Sequence, residues 1–272
     1  MTEVTFNKET FQVPASWSEI SDQDLVNVAP LIFGPPETLM IRKGLAFSIL
    51  LPDLKKYYNR LTDFQKWDLF NTLDWLFDDI SGRSILRFFH HKGIQYFLPE
   101  DNLRKESIIA FSFADNYFQQ FIDTKDPAFI DLVIACIARQ KGSNAFPALQ
   151  EVEGDPREHF STSRTQERSK RFKDLPLGIK NAILIFFMGS KQYIHKQYEV
   201  LFNRKEEQED KPAKKEFGRK KIPKPEYGWI GVIYDLAEQR TFGPFDQVKH
   251  QFLHTCCYYL TKKKYEQEEQ TA

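Results

Sequence analysis

Apolar residues recur along this chain mostly at helical spacing. The most continuous run, 182–188, lies inside the stretch 175–202. That stretch predicts a central helix, buried in its first half and half exposed in its second, where Lys191, Gln192, His195 and Lys196 fall. Upstream, Leu25, Val26, Val28, Ala29, Leu31 and Ile32 form one apolar helix face, with Ser21 as N-cap and Asp24 at the third helical position. Gly34-Pro35-Pro36 ends that helix and starts the next, which carries Leu39, Met40, Leu45 and Phe47 as far as Leu50. Thr62 caps a third predicted helix over 63–80, whose Phe64, Trp67, Phe70, Leu73, Trp75 and Phe77 are expected in the core. Further helices are predicted over 103–122, from Pro127 behind an Asp126 cap, and over 157–173, the last of them polar.

Two places depart from the helical period. Residues 4–13, around Asn7-Lys8-Glu9, and 85–98, around Lys92-Gly93, each read as a small hairpin. Residues 204–225 are nearly all charged or proline, an acidic block followed by a basic one, and predict a flexible linker. Helical periodicity returns after it, with a last helix expected from Phe245 through Leu260. The predicted fold class is mainly α: a multi-helix, bundle-like single domain with one or two small β-hairpins and a charged linker before the last two helices. Its parts are an arm (1–20), a helical body (21–203), the linker (204–225) and a C-terminal helical pair (226–272) packing on the body.

Composition agrees. Aromatic residues fill 15% of the 272 positions, with 25 Phe, 11 Tyr and 4 Trp, and large rings stabilise helix packing from few positions. The 12 Gly and 14 Pro are too few for a turn-rich β sandwich. Basic and acidic residues balance at 38 each, so nucleic-acid binding would need a local patch. Cys136, Cys256 and Cys257, odd in number and two of them adjacent, do not make a disulfide framework and imply a reduced, intracellular protein. The N-terminus lacks a signal-peptide core, and the longest apolar run falls well short of the roughly 20 residues of a membrane span. The expectation is a soluble, cytoplasmic chain with no membrane contact.

Candidate chemistry is sparse. No Gly-rich phosphate loop follows a strand, and there is no GxSxG elbow or CxxC pair. His250 and His254 stand four apart with Cys257 beyond, a spacing that can reach one metal from a helix, but the other ligands of such sites are missing. His90 and His91 point to opposite sides of an extended chain, and Asp74 with Asp78 reads as a wet helix face. No catalytic residue, metal or cofactor is assigned. Two basic features say more. Arg164, Arg168 and Arg171 recur at helical spacing with Arg157 nearby, and Lys214, Lys215, Arg219, Lys220 and Lys221 crowd the linker. They are read as a contact surface for protein partners; the alternative sets them on nucleic-acid phosphates.

Val13-Pro14-Ala15-Ser16-Trp17-Ser18-Glu19 forms a proline-set entry in which Trp17 anchors the arm to the helical body. Its Pro-x-Ser-Trp-x-Glu pattern resembles the start of phage and prophage tail-assembly or virion-associated proteins. The piece 228–237, followed by 242–248, is similar to a second part of them, and 135–142 ahead of the arginine helix fits as well. The resemblance implies a non-enzymatic helical protein that acts by assembly: a tail or connector component, or a tail-assembly chaperone. Such a protein would sit in the host cytoplasm or travel in the virion, and its partners would be phage structural or assembly proteins or further copies of itself. It carries over no catalytic residue.

Overall fold

The N-terminal alternation folds as β1 (Thr2–Phe6) and β2 (Glu9–Val13), antiparallel with Thr2 opposite Val13. A second hairpin pairs β3 (Phe88–His91) with β4 (Ile94–Phe97). Its turn residues Lys92 and Gly93 both have positive φ, 50° and 75°, the mirror-image turn whose twist suits a two-residue hairpin. Everything else with regular structure is helical. The computed structural model describes residues 1–6, 8–78, 80, 82, 86–142, 155–202 and 228–271, and among these it has thirteen helices, a mainly α single domain. The expected linker, with Lys214, Lys215, Arg219, Lys220 and Lys221, lies outside the described residues.

Local chemistry sets the helix starts. Ser21 Oγ accepts the Asp24 N–H at 3.1 Å and opens α1 (Asp22–Ile32). After the Gly34-Pro35-Pro36 break come α2 (Leu39–Leu50) and the single turn α3 (Pro52–Lys55). Thr62 and Gln65 form a reciprocal capping box at α4 (Asp63–Asn71).

The predicted 63–80 helix is interrupted. The Thr72 hydroxyl donates to the Leu69 carbonyl at 2.6 Å, and Asp74 turns to pair with Lys43, a lysine buried on α2. Helix α5 (Trp75–Asp78) restarts beyond that turn. Asp74 immediately precedes α5, its carbonyl accepting the Asp78 N–H at 3.0 Å, and Phe64 and Trp67 on α4, expected in the core, are 71% and 53% exposed.

Helix α6 (Ile108–Thr124) begins at a Ser107 cap and α7 (Ala128–Ile137) follows a left-handed Lys125. The polar helix is shorter than expected, α8 (Thr162–Phe172), because 155–161 is extended and Arg157 bridges to Lys141. The central helix forms as α9 (Leu177–Gln197), followed by the single turn α10 (Glu199–Phe202). Beyond the undescribed segment come α11 (Gly228–Glu238), one-turn α12 (Phe245–Val248) and α13 (Leu253–Thr271). The single last helix expected from Phe245 is therefore two. Lys249 and Gln251 give their carbonyls to the Ile109 and Ile108 N–H groups, and Leu253 N–H reaches the Glu106 carbonyl, so 249–252 serves the start of α6 instead of continuing a helix.

Helix α9 packs against α1, α7 and α10, while α11 lies on α6 and α13 on α10 and α6. The rings of Phe111, Phe187 and Trp229 join α6, α9 and α11, with Phe111 and Trp229 edge-to-face at 5.1 Å. Phe172 ties α8 to the second hairpin, 4.9 Å from Tyr96 and 5.9 Å from Phe89. Trp17 is buried edge-on to Trp75 at 5.5 Å, and the Trp75 Nε1 donates to the Pro14 carbonyl. The arm is thereby fixed to α5.

The α1–α9 contact depends on two residues the sequence does not obviously connect. Pro30, inside α1, has no N–H, so the Val26 carbonyl one turn earlier loses its helical donor. Gly178 of α9 lies against that carbonyl: a Cβ there would stand 2.2 Å from Val26 O and 2.8 Å from Val26 Cγ1. A Gly178→Ala change must push the helices apart. It is expected to lower unfolding stability by about 1–3 kcal/mol, read from the midpoint of urea denaturation. An unchanged midpoint would refute this account of the contact.

Candidate functional site

The arginines marked out by the sequence lead inward, to a buried charge network around Glu106. This residue precedes the Ser107 cap of α6 and is fully buried. Its Oε1 accepts from Arg139 Nη2 at 2.6 Å and from the Ser107 N–H at 3.0 Å, and its Oε2 accepts from Arg157 Nη1 at 2.7 Å. Arg157 also donates to both Asp155 oxygens, at 2.7–3.2 Å, and to the Ile137 carbonyl at 2.9 Å. Arg168 donates to the Ala135 carbonyl from two nitrogens, at 2.8 and 3.1 Å, and pairs with Glu158. Both guanidiniums thus sit on carbonyls of the last turn of α7, which have no helical donors of their own and carry the negative end of the helix dipole.

Burial and charge compete throughout. Burial pulls Arg157 down, but Glu106 and Asp155 outweigh it and its pKa is raised. Arg139 has a poorer share of the carboxylates, and burial, only partly offset by Glu106, lowers it to about 10. Burial pushes Asp155 up, yet the hydrogen bond and charge of Arg157, with Arg139 behind it, hold it below the ordinary carboxylate value. Arg139 and Arg157 both remain charged at neutral pH.

Of the predicted contact residues, Arg157 (6% exposed) and Arg168 (3%) are therefore not available to a partner, a correction that follows from their use on α7. Arg157 does not even lie on the polar helix. Arg164 is exposed but pairs with Glu158 at 2.7 Å, and Arg171 pairs with Glu167 at 2.6 Å.

The histidines and cysteines also separate. His250 lies before α13 and His254 within it, so the presumed four-residue helical spacing does not exist. His254 Nδ1 meets the Tyr198 hydroxyl and its Nε2 the Asn102 carbonyl. His250 instead lies edge-on to His159, ring centres 5.6 Å apart, and burial lowers the pKa of both. Cys136, Cys256 and Cys257 are buried free thiols, raised by burial well above the ordinary thiol value. Among the described residues no three His, Cys, Asp or Glu side chains gather where they could hold a metal, and no helix is long and apolar enough to cross a membrane.

Two surfaces remain. One is apolar: Met40, Ile41 and Leu45 on α2 are 45%, 66% and 50% exposed, and Phe64 and Trp67 on α4 stack with centres 6.4 Å apart. Phe70 sits against Gly44 where α2 meets α4. Trp67 is one turn from Phe70, and Met40 and Ile41 are one turn from Gly44, so the exposed groups flank a single crossing. The other is a groove beside the network, lined by Phe113, Phe160, Phe245, Arg164, Lys249 and the two facing histidines.

Sequence reasoning missed Glu106, Arg139 and Asp155, since a glutamate whose partners lie 33 and 51 residues away leaves no local pattern. Comparison with known proteins assigns nothing further: no family model matches the chain, and neither a curated protein nor a solved structure does.

Replacing Glu106 by Gln strands two buried guanidiniums and is expected to cost about 3–5 kcal/mol, measured by urea unfolding at pH 7. Asp155→Asn should cost less, about 1–3 kcal/mol, with a distinctive pH signature. Because the folded-state pKa of Asp155 is depressed, its stabilisation is complete above the unfolded value near 4 and disappears as pH falls through the folded value. The gap between wild type and variant should therefore close below about pH 4. A gap that stays constant down to pH 3 would contradict this role.

Proposed function

We propose that this chain is a non-enzymatic assembly factor that works through protein–protein contacts, and that the apolar face of Met40, Ile41, Leu45, Phe64 and Trp67 is its main contact surface. The observation that carries this reading is the exposure of two stacked aromatic rings on α4 and of three aliphatic side chains on α2, the helix that α4 packs against. Leaving such groups in water is unfavourable, and clustered apolar exposure of this kind marks interaction sites. Trp in particular is over-represented among residues that dominate interface energetics. Arg164 and Arg171 remain on the surface as rim groups, each already oriented by a glutamate.

The resemblance of the Pro14–Glu19 and 228–248 segments to phage tail-assembly and virion-associated proteins supplies the setting: a tail or connector component, or a chaperone of tail assembly. The nucleic-acid alternative draws less support, because Arg157 and Arg168, two of the four arginines it would set on phosphates, are spent on α7 and on Glu106 and Glu158.

Genes neighbouring this one identify the partners to test. Co-expressed with tail or connector proteins encoded beside it, the wild-type chain should co-purify with one of them as a defined complex. Ile41→Asp and Trp67→Ala should weaken that complex by about 30-fold or more, the loss of roughly 2 kcal/mol expected at an interface centre, with the thermal midpoint unchanged. Complex formation indifferent to both substitutions would sink the assignment of this face. Salt-sensitive retention on DNA, with no protein complex, would move the reading to nucleic acid.

A further inference from the structure

Beside the buried network a groove of about 530 Å³ runs between α6, the start of α8 and the α11–α12 region. Its volume falls in the range of small-molecule sites. Its walls divide by chemistry. Phe113 and Phe160, ring centres 5.2 Å apart, form an aromatic floor with Phe245 opposite. Arg164, Lys249, His159 and His250 supply the polar side, and none of the described residues lining the groove carries a carboxylate.

The charge near its mouth is not fully compensated from outside. Glu158 is shared between Arg164 and the buried Arg168, so one positive charge has no carboxylate of its own. Among the described residues Lys249 is held by Asp246 alone, which is largely exposed, and a pair of that kind is weak in water. Ser161 and Thr162, at the start of the eleven-residue α8, also line the groove. Ser161 is extended at the N-cap position but gives no side-chain cap; its hydroxyl pairs with Ser163 instead. First-turn N–H groups are thereby left without a side-chain cap at the end of α8 that borders the groove.

An independent observation lies deeper. His159, Phe160 and His250 also line an inner recess of about 10 Å³, whose wall includes the cations Arg139 and Arg157 and the carboxylates Asp155 and Glu158. Arg139 is 3% exposed, and its Nε is buried without a hydrogen-bond partner in the structure. A recess of that size holds about one oxygen-sized atom. A buried guanidinium N–H left unmatched beside such a space is the signature of a missing acceptor.

We propose that this groove binds a small organic anion, its flat apolar body on Phe113, Phe160 and Phe245 and its anionic head at the α8 N-terminus between Arg164 and Lys249. Because Asp155 and Glu158 also face the recess, a single water there, and not the anionic head itself, supplies the acceptor that Arg139 lacks and bridges it to the head. This site is separate from the apolar α2–α4 face and stands whether or not that face is a protein interface.

The test uses the full chain and three probes in isothermal titration at low salt: 1-naphthalenesulfonate, sulfate and 1-naphthalenemethanol. The sulfonate should bind at least tenfold more tightly than either fragment-like control, because only it carries both halves of the recognition. An Arg164→Ala/Lys249→Ala double variant changes one exposed and one half-buried side chain, neither in the core, and should unfold close to the wild-type midpoint while binding the sulfonate at least tenfold more weakly. Failure of the sulfonate to bind at millimolar concentration would overturn the proposal. So would equal binding of the neutral alcohol, or full affinity in the double variant.

Discussion

The structure depends most on a carboxylate that water never reaches. Glu106 receives Arg139 and Arg157 from sites after α7 and after the segment that follows it, while its own carbonyl receives the first N–H of α13. A single residue thus joins the start of α6, the end of α7, the 155–161 strand-like segment and the C-terminal helix. Removing charges from water is costly, and pairs of this kind add little net stability over apolar packing. Their contribution is in selecting one arrangement: any alternative docking of these segments leaves a charged group buried without a partner, which costs several kcal/mol. Around it the Phe111–Phe187–Trp229 and Phe89–Tyr96–Phe172 clusters supply the non-directional burial, and the ions decide the register.

That choice redistributes charge and apolar surface. Drawing Arg157 and Arg168 inside to serve the α7 carbonyls removes the strongest cationic stripe from the exterior. Conversely, α4 turns Leu69 and Phe70 inward and leaves Phe64 and Trp67 on its exposed side. The exterior therefore ends with less basic character and more aromatic surface than helical periodicity implies. Both outcomes support the proposed protein contact over the nucleic-acid alternative.

Much of the architecture was legible because it is written locally. The Ser21 and Thr62 caps, the Gly34-Pro35-Pro36 break, the Lys92-Gly93 turn and the continuous apolar run of α9 each act within a few residues, and each forms as expected. What failed was long-range. Lys43 lies 31 residues from Asp74, and that pairing sits at the turn that splits one predicted helix. Hydrogen bonds from the start of α6 split another, which erased the expected alignment of His250 with His254. Arginines at helical spacing looked like a surface face because periodicity reports which side of a helix a residue takes, not whether that side meets water or another helix end. The carboxylates that decide the matter, Glu106 and Glu158, have no distinctive neighbours in sequence.

The same logic explains why the groove borders the network. A neutral cluster of buried ions need not display any field outside, and with a glutamate for each guanidinium it would not. Here Glu158 serves an inner arginine and an outer one together, and the Nε of Arg139 finds no acceptor. Both shortfalls occur on the side facing His159 and His250, where α12 and the start of α8 leave an opening floored by phenylalanine. An evolved fold under no other demand could fill that opening with one more carboxylate or one more apolar side chain, either of which would stabilise it. A cation-rimmed, aromatic-floored space next to an unmatched buried donor suits the proposed anionic ligand better than it suits packing alone.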